Sequence, residues 1–247
     1  ETRRRQMIDC LRGGFDIPEK TFDQAIDLRV LTRNIGGRQD SNESLTYRAL
    51  LLTEGACLAG AGRAMKHAVF RAYADATISR GRFLASLGND LHRYYRTLCM
   101  DYRHKVDELD KSWAIRVLKL RHSRKLWHLA NLVLFSWAAT VADDEREALV
   151  GEHLDLPPLA RIAAGLRALD GGPLCGPLFL AYERFLAAIA DPERREHLDR
   201  LDHDHREGSP TYRALRDNAD RLDEAAQAIV GHLWARGPEY LIRFGLL

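Results

Sequence analysis

The sequence predicts an all-α protein, a multi-helix bundle with long central helices. Apolar residues recur at helical spacing in nearly every segment, proline and glycine fall where helices start and stop, and no run alternates like a strand. A first helix carries Met7, Ile8 and Leu11 and stops at Gly13-Gly14. Pro18 opens a second, with Phe22, Ile26 and Val30 at helical spacing and Gly36-Gly37 at its end. Asp40 and Glu43 have the spacing of a capping box, which places a third helix start there, and Gly55, Gly60 and Gly62 break the chain after it. A fourth helix covers residues 63–79, up to Gly81. After Gly88 a long helix runs to Leu109, and Ser112 reads as the N-cap of a longer one reaching Thr140. Pro157-Pro158 after Asp155, then Pro177, Asp191-Pro192 and Ser209-Pro210, mark four more starts, because proline fits a first turn and Asp or Ser before it caps. Gly237-Pro238 ends the last long helix.

The chain has 247 residues, 46% hydrophobic and 29% charged, the balance of a globular protein rather than a disordered or membrane one. The longest nearly uncharged stretch, Leu126 to Ala142, includes His128, Asn131, Ser136 and Thr140. It is too short and polar to span a bilayer and reads as a buried helix, so no membrane partner is expected. Cys10, Cys57, Cys99 and Cys175 lie far apart without a C-x-x-C pair, which points to isolated buried thiols rather than zinc or disulfides. With no signal peptide, the expected location is cytoplasmic. The chain opens on Glu1-Thr2-Arg3 rather than methionine, which reads as a processed or partial product with something upstream.

Charge is polarised along the chain. Residues 91–128 carry 10 Lys and Arg against 4 Asp and Glu, before four histidines are considered; residues 129–247 carry 13 against 20. The loop Asp170-Gly171-Gly172-Pro173 divides a basic helical bundle (1–170) from acidic C-terminal helices (171–247) expected to pack on it as one unit. In the first central helix Leu91, Tyr95, Leu98, Tyr102, Val106 and Leu109 form one apolar stripe, with Asn89, Arg93, Arg96 and Arg103 opposite. In the second, Trp113, Val117, Leu120 and Trp127 make one apolar face and Ile115, Leu118, His122, Leu126 and Leu129 another. Arg116, Lys119 and Ser123 fall between them, and Arg124 projects among the tryptophans. Cations on a helix wedged inside the fold need acceptors: either neighbouring carboxylates or an anionic ligand, for which the planar guanidinium fork suits phosphate. The candidate ligand-binding residues are therefore Arg93, Arg96, Arg116, Lys119 and Arg124.

The runs Asn89-Asp90-Leu91-His92-Arg93-Tyr94-Tyr95-Arg96 to Tyr102, and Lys111-Ser112-Trp113-Ala114-Ile115-Arg116 to Leu126, resemble the helical region that follows the catalytic core in bacterial nucleotidyltransferase-like proteins, distant relatives of the protein uridylyltransferases. Similarity extends to Leu50–Gly55, Tyr182–Leu186 and the closing Leu241–Leu247. Such enzymes carry a Gly-Ser followed by Asp-x-Asp on a small sheet, because two carboxylates hold the metal ions that bridge the nucleotide phosphates. Here Gly208-Ser209 leads into a proline-initiated helix and Asp202-His203-Asp204 lies at a helix end. The resemblance thus implies the helical, non-catalytic portion of such a protein, binding a nucleotide or RNA. It implies no cofactor in this chain, with Mg²⁺ entering only if a nucleotidyltransferase core is supplied elsewhere, by an upstream domain or a protein partner.

Four other readings arise from the residues. Arg116 with His122, and Arg121 with His128, have the R-x(4 to 6)-H spacing of helical HEPN ribonucleases of bacterial defence and toxin systems, where His moves protons and Arg steadies charge. Val117 departs from the polar residue usual there. His197, Asp202, His203, Asp204 and His205 could chelate a metal, but the segment reads more simply as a solvated helix end, so no metal site is assigned. The basic helices, with Tyr94, Tyr95 and Trp113, could bind RNA by phosphate contacts and stacking alone, or serve as a structural interaction domain with internal ion pairs.

Overall fold

A computed structural model describes residues 26–55, 61–76, 82–107 and 112–245 together with Gln6 and Asp9; for 102–107 and 245 it describes only the backbone. The predicted helix around Met7, Ile8 and Leu11, the thiols of Cys10 and Cys57, Leu109 and the side chains of Tyr102, Arg103 and Val106 lie outside the described residues.

Among the described residues the chain forms eleven α-helices and no strand. Helix α1 (Leu28–Thr32) starts where Asp27 Oδ1 accepts the Arg29 N–H at 2.9 Å. Ile26 therefore precedes the helix, and Val30, expected to be an inward position, is 54% exposed while Leu31 is buried. Helix α2 (Asn42–Ala49) is capped by Ser41, whose Oγ accepts from Ser44 N at 3.1 Å. The predicted Asp40 capping box is thus displaced by one residue, because the Asp40 carboxylate is taken by the Arg48 guanidinium at 2.8 and 2.9 Å. A π-helical turn, Leu50–Glu54, extends α2 until Gly55 N–H closes on Leu50 C=O at 2.7 Å.

Helix α3 (Gly62–Asp75) begins with Gly62, a residue expected to break the chain. Helix α4 (Phe83–Asp107) likewise runs through Gly88 instead of starting after it. A Cβ at Gly88 would collide with Tyr240 Oη, so this glycine serves close packing and not chain reversal. Helix α5 (Trp113–Lys119), the π turn Leu120–Arg124 and α6 (Lys125–Thr140) form one continuous rod. Ser112 stands at the N-cap as expected, but its Oγ is buried without a hydrogen bond. Helix α7 (Arg146–His153) carries no proline or Ser/Asp side-chain cap, and no sequence punctuation announces it. Helices α8 (Pro158–Ala168), α9 (Cys175–Ala190), α10 (Pro192–Arg200) and α11 (Pro210–Arg236) follow the punctuation predicted. Asp191 Oδ1 accepts from Glu193 N and Arg194 N at 3.0 and 3.2 Å, and Ser209 Oγ from Tyr212 N at 3.2 Å, each cap contributing about 1 kcal/mol. A final π turn, Tyr240–Gly245, folds back over α4 and α6.

Helix α6 is the centre of the larger hydrophobic cluster, as its uncharged sequence predicted; Leu126, Val133, Leu134 and Phe135 are sealed there with Leu52, Phe83 and Tyr240. A smaller cluster joins Ile115 and Leu118 of α5 to Phe185 of α9, Leu198 of α10, and Tyr212 and Leu215 of α11. Residues on either side of Asp170 contribute to both clusters. Burying one such Leu or Phe contributes roughly 1.5–3 kcal/mol. Among the described residues the stretch long and apolar enough to cross a membrane, by length and composition, is Gly172–Ala190 and not Leu126–Ala142.

Candidate anion-binding site

Helix α5 turns Ile115 and Leu118 into the smaller cluster, which leaves Arg116 half-buried and Lys119 exposed on its outer side. Helix α10 is fixed against α5 by Leu198 in the same cluster, and so brings Arg195 and Asp199 to the outer side as well. The Lys119 ammonium is held below its ordinary pKa, first by partial loss of solvation and then by Arg195, with Arg116 and Arg124 adding and only Asp199 opposing. Among the described residues Arg116, Lys119 and Arg195 enter no ion pair, and the Arg116 Nε is buried without a hydrogen-bond acceptor. The outcome is a patch where positive groups crowd one another with one nearby carboxylate, the arrangement that an incoming anion relieves.

The other predicted cations have protein partners or a different setting. Arg124 is bound by Glu54, each the last residue of its π turn, and Tyr94 donates to the same carboxylate at 2.9 Å. Arg93 donates to Asn42 Oδ1 at 3.2 Å and lies 3.8 Å from Asp90. These two predicted residues therefore have internal acceptors, distant in sequence or a turn away, that the sequence pattern did not disclose. Arg96 is exposed beside His92 and His128, and among the described residues it makes no ion pair. Arg195 belongs with Arg116 and Lys119 but is absent from the predicted set, because residues 193–207 read as a solvated helix end. The Asp191-Pro192 start, with Arg194-Arg195 in its first turn, is the signal that could have found it.

Of the two predicted apolar faces one is sealed and the other borders solvent. The sealed face runs unbroken across the Leu120–Arg124 turn, where the Lys125 N–H reaches Leu120 C=O and one extra residue is accommodated. Trp113, Val117, Leu120 and Trp127 are only half-buried, whereas Ile115, Leu118, His122, Leu126 and Leu129 are buried.

Neither predicted Arg–His pair shares an open site. His122 is sealed, stacked on Phe185 with ring centroids 4.2 Å apart, and its pKa is pushed down to about 4, mainly by burial. Arg121 is held by Asp220 at 2.6 Å and Asp223 at 3.0 Å. His128 stacks on Tyr95 at 4.3 Å and is likewise pushed to about 4 by burial, His92 and Arg96. The aromatics expected to stack on bases are also occupied internally: Tyr94 is buried, and Trp113 packs on Tyr212 and edge-on to His203. Among the described residues no three His, Cys, Asp or Glu side chains converge as metal ligands; His197 Nε2 instead meets Ser209 Oγ at 2.8 Å. Cys99 and Cys175 are free thiols, half-buried rather than buried.

No protein-family model matches this chain, and neither a characterised protein nor a solved structure is significantly similar to it.

Proposed function

We propose that the chain is a helical, non-catalytic module that holds a phosphate-bearing ligand, a nucleotide or an RNA strand, on the Arg116, Lys119 and Arg195 face. The supporting observation is the mutual crowding of these cations without an internal ion pair among the described residues. A phosphate oxygen accepting from Arg116 Nε–H would satisfy the buried donor and draw Lys119 into a charge-assisted bond. Because Tyr94, Tyr95 and Trp113 pack internally, the contacts are to phosphates, so binding is insensitive to base sequence and steeply dependent on salt. In this reading the module serves a nucleotidyltransferase-type protein whose catalytic groups, and any Mg²⁺, are supplied elsewhere.

Fluorescence anisotropy with labelled single-stranded RNA and with nucleoside triphosphates plus Mg²⁺, across a salt series, tests it. Arg116→Ala/Lys119→Ala lowers the salt slope by about 2 and Arg195→Ala by about 1 for RNA, with thermal stability kept. Undiminished binding by the triple variant, or none by wild type at low salt, would overturn the proposal.

A further inference from the structure

A second cationic feature lies on another face of the smaller cluster. Helices α9, α10 and α11 enclose a cleft of about 670 Å³, to which each contributes one arginine: Arg184, Arg194 and Arg221. No carboxylate lines it. Arg194 is tethered by Asp191 at 3.3 Å, while Arg184 and Arg221 are exposed and, among the described residues, make no ion pair or side-chain hydrogen bond. The walls between them are apolar, with Ala187, Pro210 and Ala214 exposed over Ala188 and Leu215, which are buried in the smaller cluster.

Asn218 also lines this cleft and is 6% exposed. The orientation of its amide is fixed by its neighbours. Leu118 C=O, 2.8 Å from His122 Nδ1, accepts only, so Nδ1 carries the imidazole proton and Nε2 is an acceptor. Asn218 Nδ2 therefore donates to His122 Nε2 at 3.1 Å and, with its second hydrogen, to Ala181 C=O at 2.7 Å. Both donor hydrogens are spent inside the protein. The Oδ1 is left buried with no hydrogen-bond partner. A buried carbonyl oxygen in that position calls for a donor, and Asn218 is the residue lining the cleft whose acceptor is unspent.

We propose that this cleft is a binding site for a small organic phosphate of nucleoside monophosphate type, separate from the Arg116 face. Arg184 and Arg221, with Arg194, take the phosphate; Ala187 and Ala214 flank the flat organic part; and an N–H of that part donates to Asn218 Oδ1. The volume is in the range of small-molecule pockets, roughly 300–1,000 Å³, and Arg outperforms Lys where planar, multidentate phosphate recognition is needed.

Isothermal titration calorimetry on the full chain tests this with AMP, CMP, GMP and UMP, and with ribose 5-phosphate and orthophosphate as probes lacking the base. In Arg116→Ala/Lys119→Ala, whose first face is disabled, at least one nucleoside monophosphate still saturates a single site, with the two base-free probes about tenfold weaker or worse. Arg184→Gln/Arg221→Gln, two exposed substitutions that leave the cluster intact, weakens that binding about tenfold or more. Ala214→Trp, which fills the cleft from α11, abolishes it. Arg116→Ala/Lys119→Ala leaves it unchanged, which separates this site from the first. The proposal is overturned if no nucleoside monophosphate binds, if orthophosphate binds as tightly, if Arg184→Gln/Arg221→Gln has no effect, or if the Arg116/Lys119 variant removes the signal.

Discussion

Beside the larger cluster, Arg48 and Arg161 are closed off from solvent, yet every guanidinium nitrogen of each has an acceptor. Arg48 is shared by Asp40, Asp90 and Tyr73, and the carboxylates hold it charged. Arg161 instead gathers Asn131 Oδ1 and the carbonyls of Thr53, His153, Leu154 and Leu156, and burial lowers its pKa to about 10. Around the smaller cluster polar groups stay unmatched: Ser112 Oγ, Arg116 Nε and Asn218 Oδ1 are buried without partners, against Ser136 Oγ alone in the larger one, among the described residues. The difference separates two uses of buried polarity. One region closes its hydrogen bonds and gains a single packing; the other keeps donors, acceptors and cations uncommitted.

The sharpest way to break this comparison is a matched pair of substitutions. Arg48→Met strands Asp40 and Asp90 and is expected to cost about 3–5 kcal/mol in urea unfolding, whereas Arg116→Met costs less than about 0.5 kcal/mol or is stabilising. Equal losses would show that Arg116 is as structural as Arg48.

Acid tests both regions together. His122 in the smaller cluster and His128 in the larger one are each depressed to about 4, so the folded state binds protons less readily than the unfolded chain, whose histidines titrate near 6.5. Their contribution is therefore intact above that value and lost as pH falls towards 4. At pH 5 each removes on the order of 2 kcal/mol relative to pH 7. Denaturant curves that coincide at the two pH values would refute the burial of both rings.

Smaller effects sharpen the contrast. Ser209→Ala removes the α11 cap and an acceptor or donor for His197, for a loss of about 1 kcal/mol measured by thermal unfolding. Lys119 should show its lowered pKa by NMR titration of the side-chain amine, and adding a phosphate ligand should move it upward; a Lys119 signal indifferent to ligand would place the anion elsewhere.

Locality decides which features the sequence disclosed. Asp191-Pro192 and Ser209-Pro210 announced their helices because cap and first turn lie within a few residues, and α6 announced its burial by its lack of charge. Asp40 misled because its partner Arg48 lies a helix away from the cap it resembled. Gly88 misled because its reason, Tyr240, is far along the chain. At the candidate site, Arg116 and Lys119 were legible as cations on a wedged helix. The pairing of Arg124 with Glu54, and the approach of Arg195 to Lys119, are tertiary facts.

The π turn at Leu120–Arg124 makes the cationic face a matter of arithmetic in the chain. A π turn holds one residue more than an α-helical turn, so deleting one residue within it is absorbed by reversion to plain α-helix and leaves α5 facing α10 as before. A second deletion finds no such slack: it rotates α5 by about 100° against α6, and Arg116 and Lys119 swing off α10 with every side chain still present. Orientation here is encoded by residue count, and the turn at Leu120–Arg124 is a reserve of one residue against its loss.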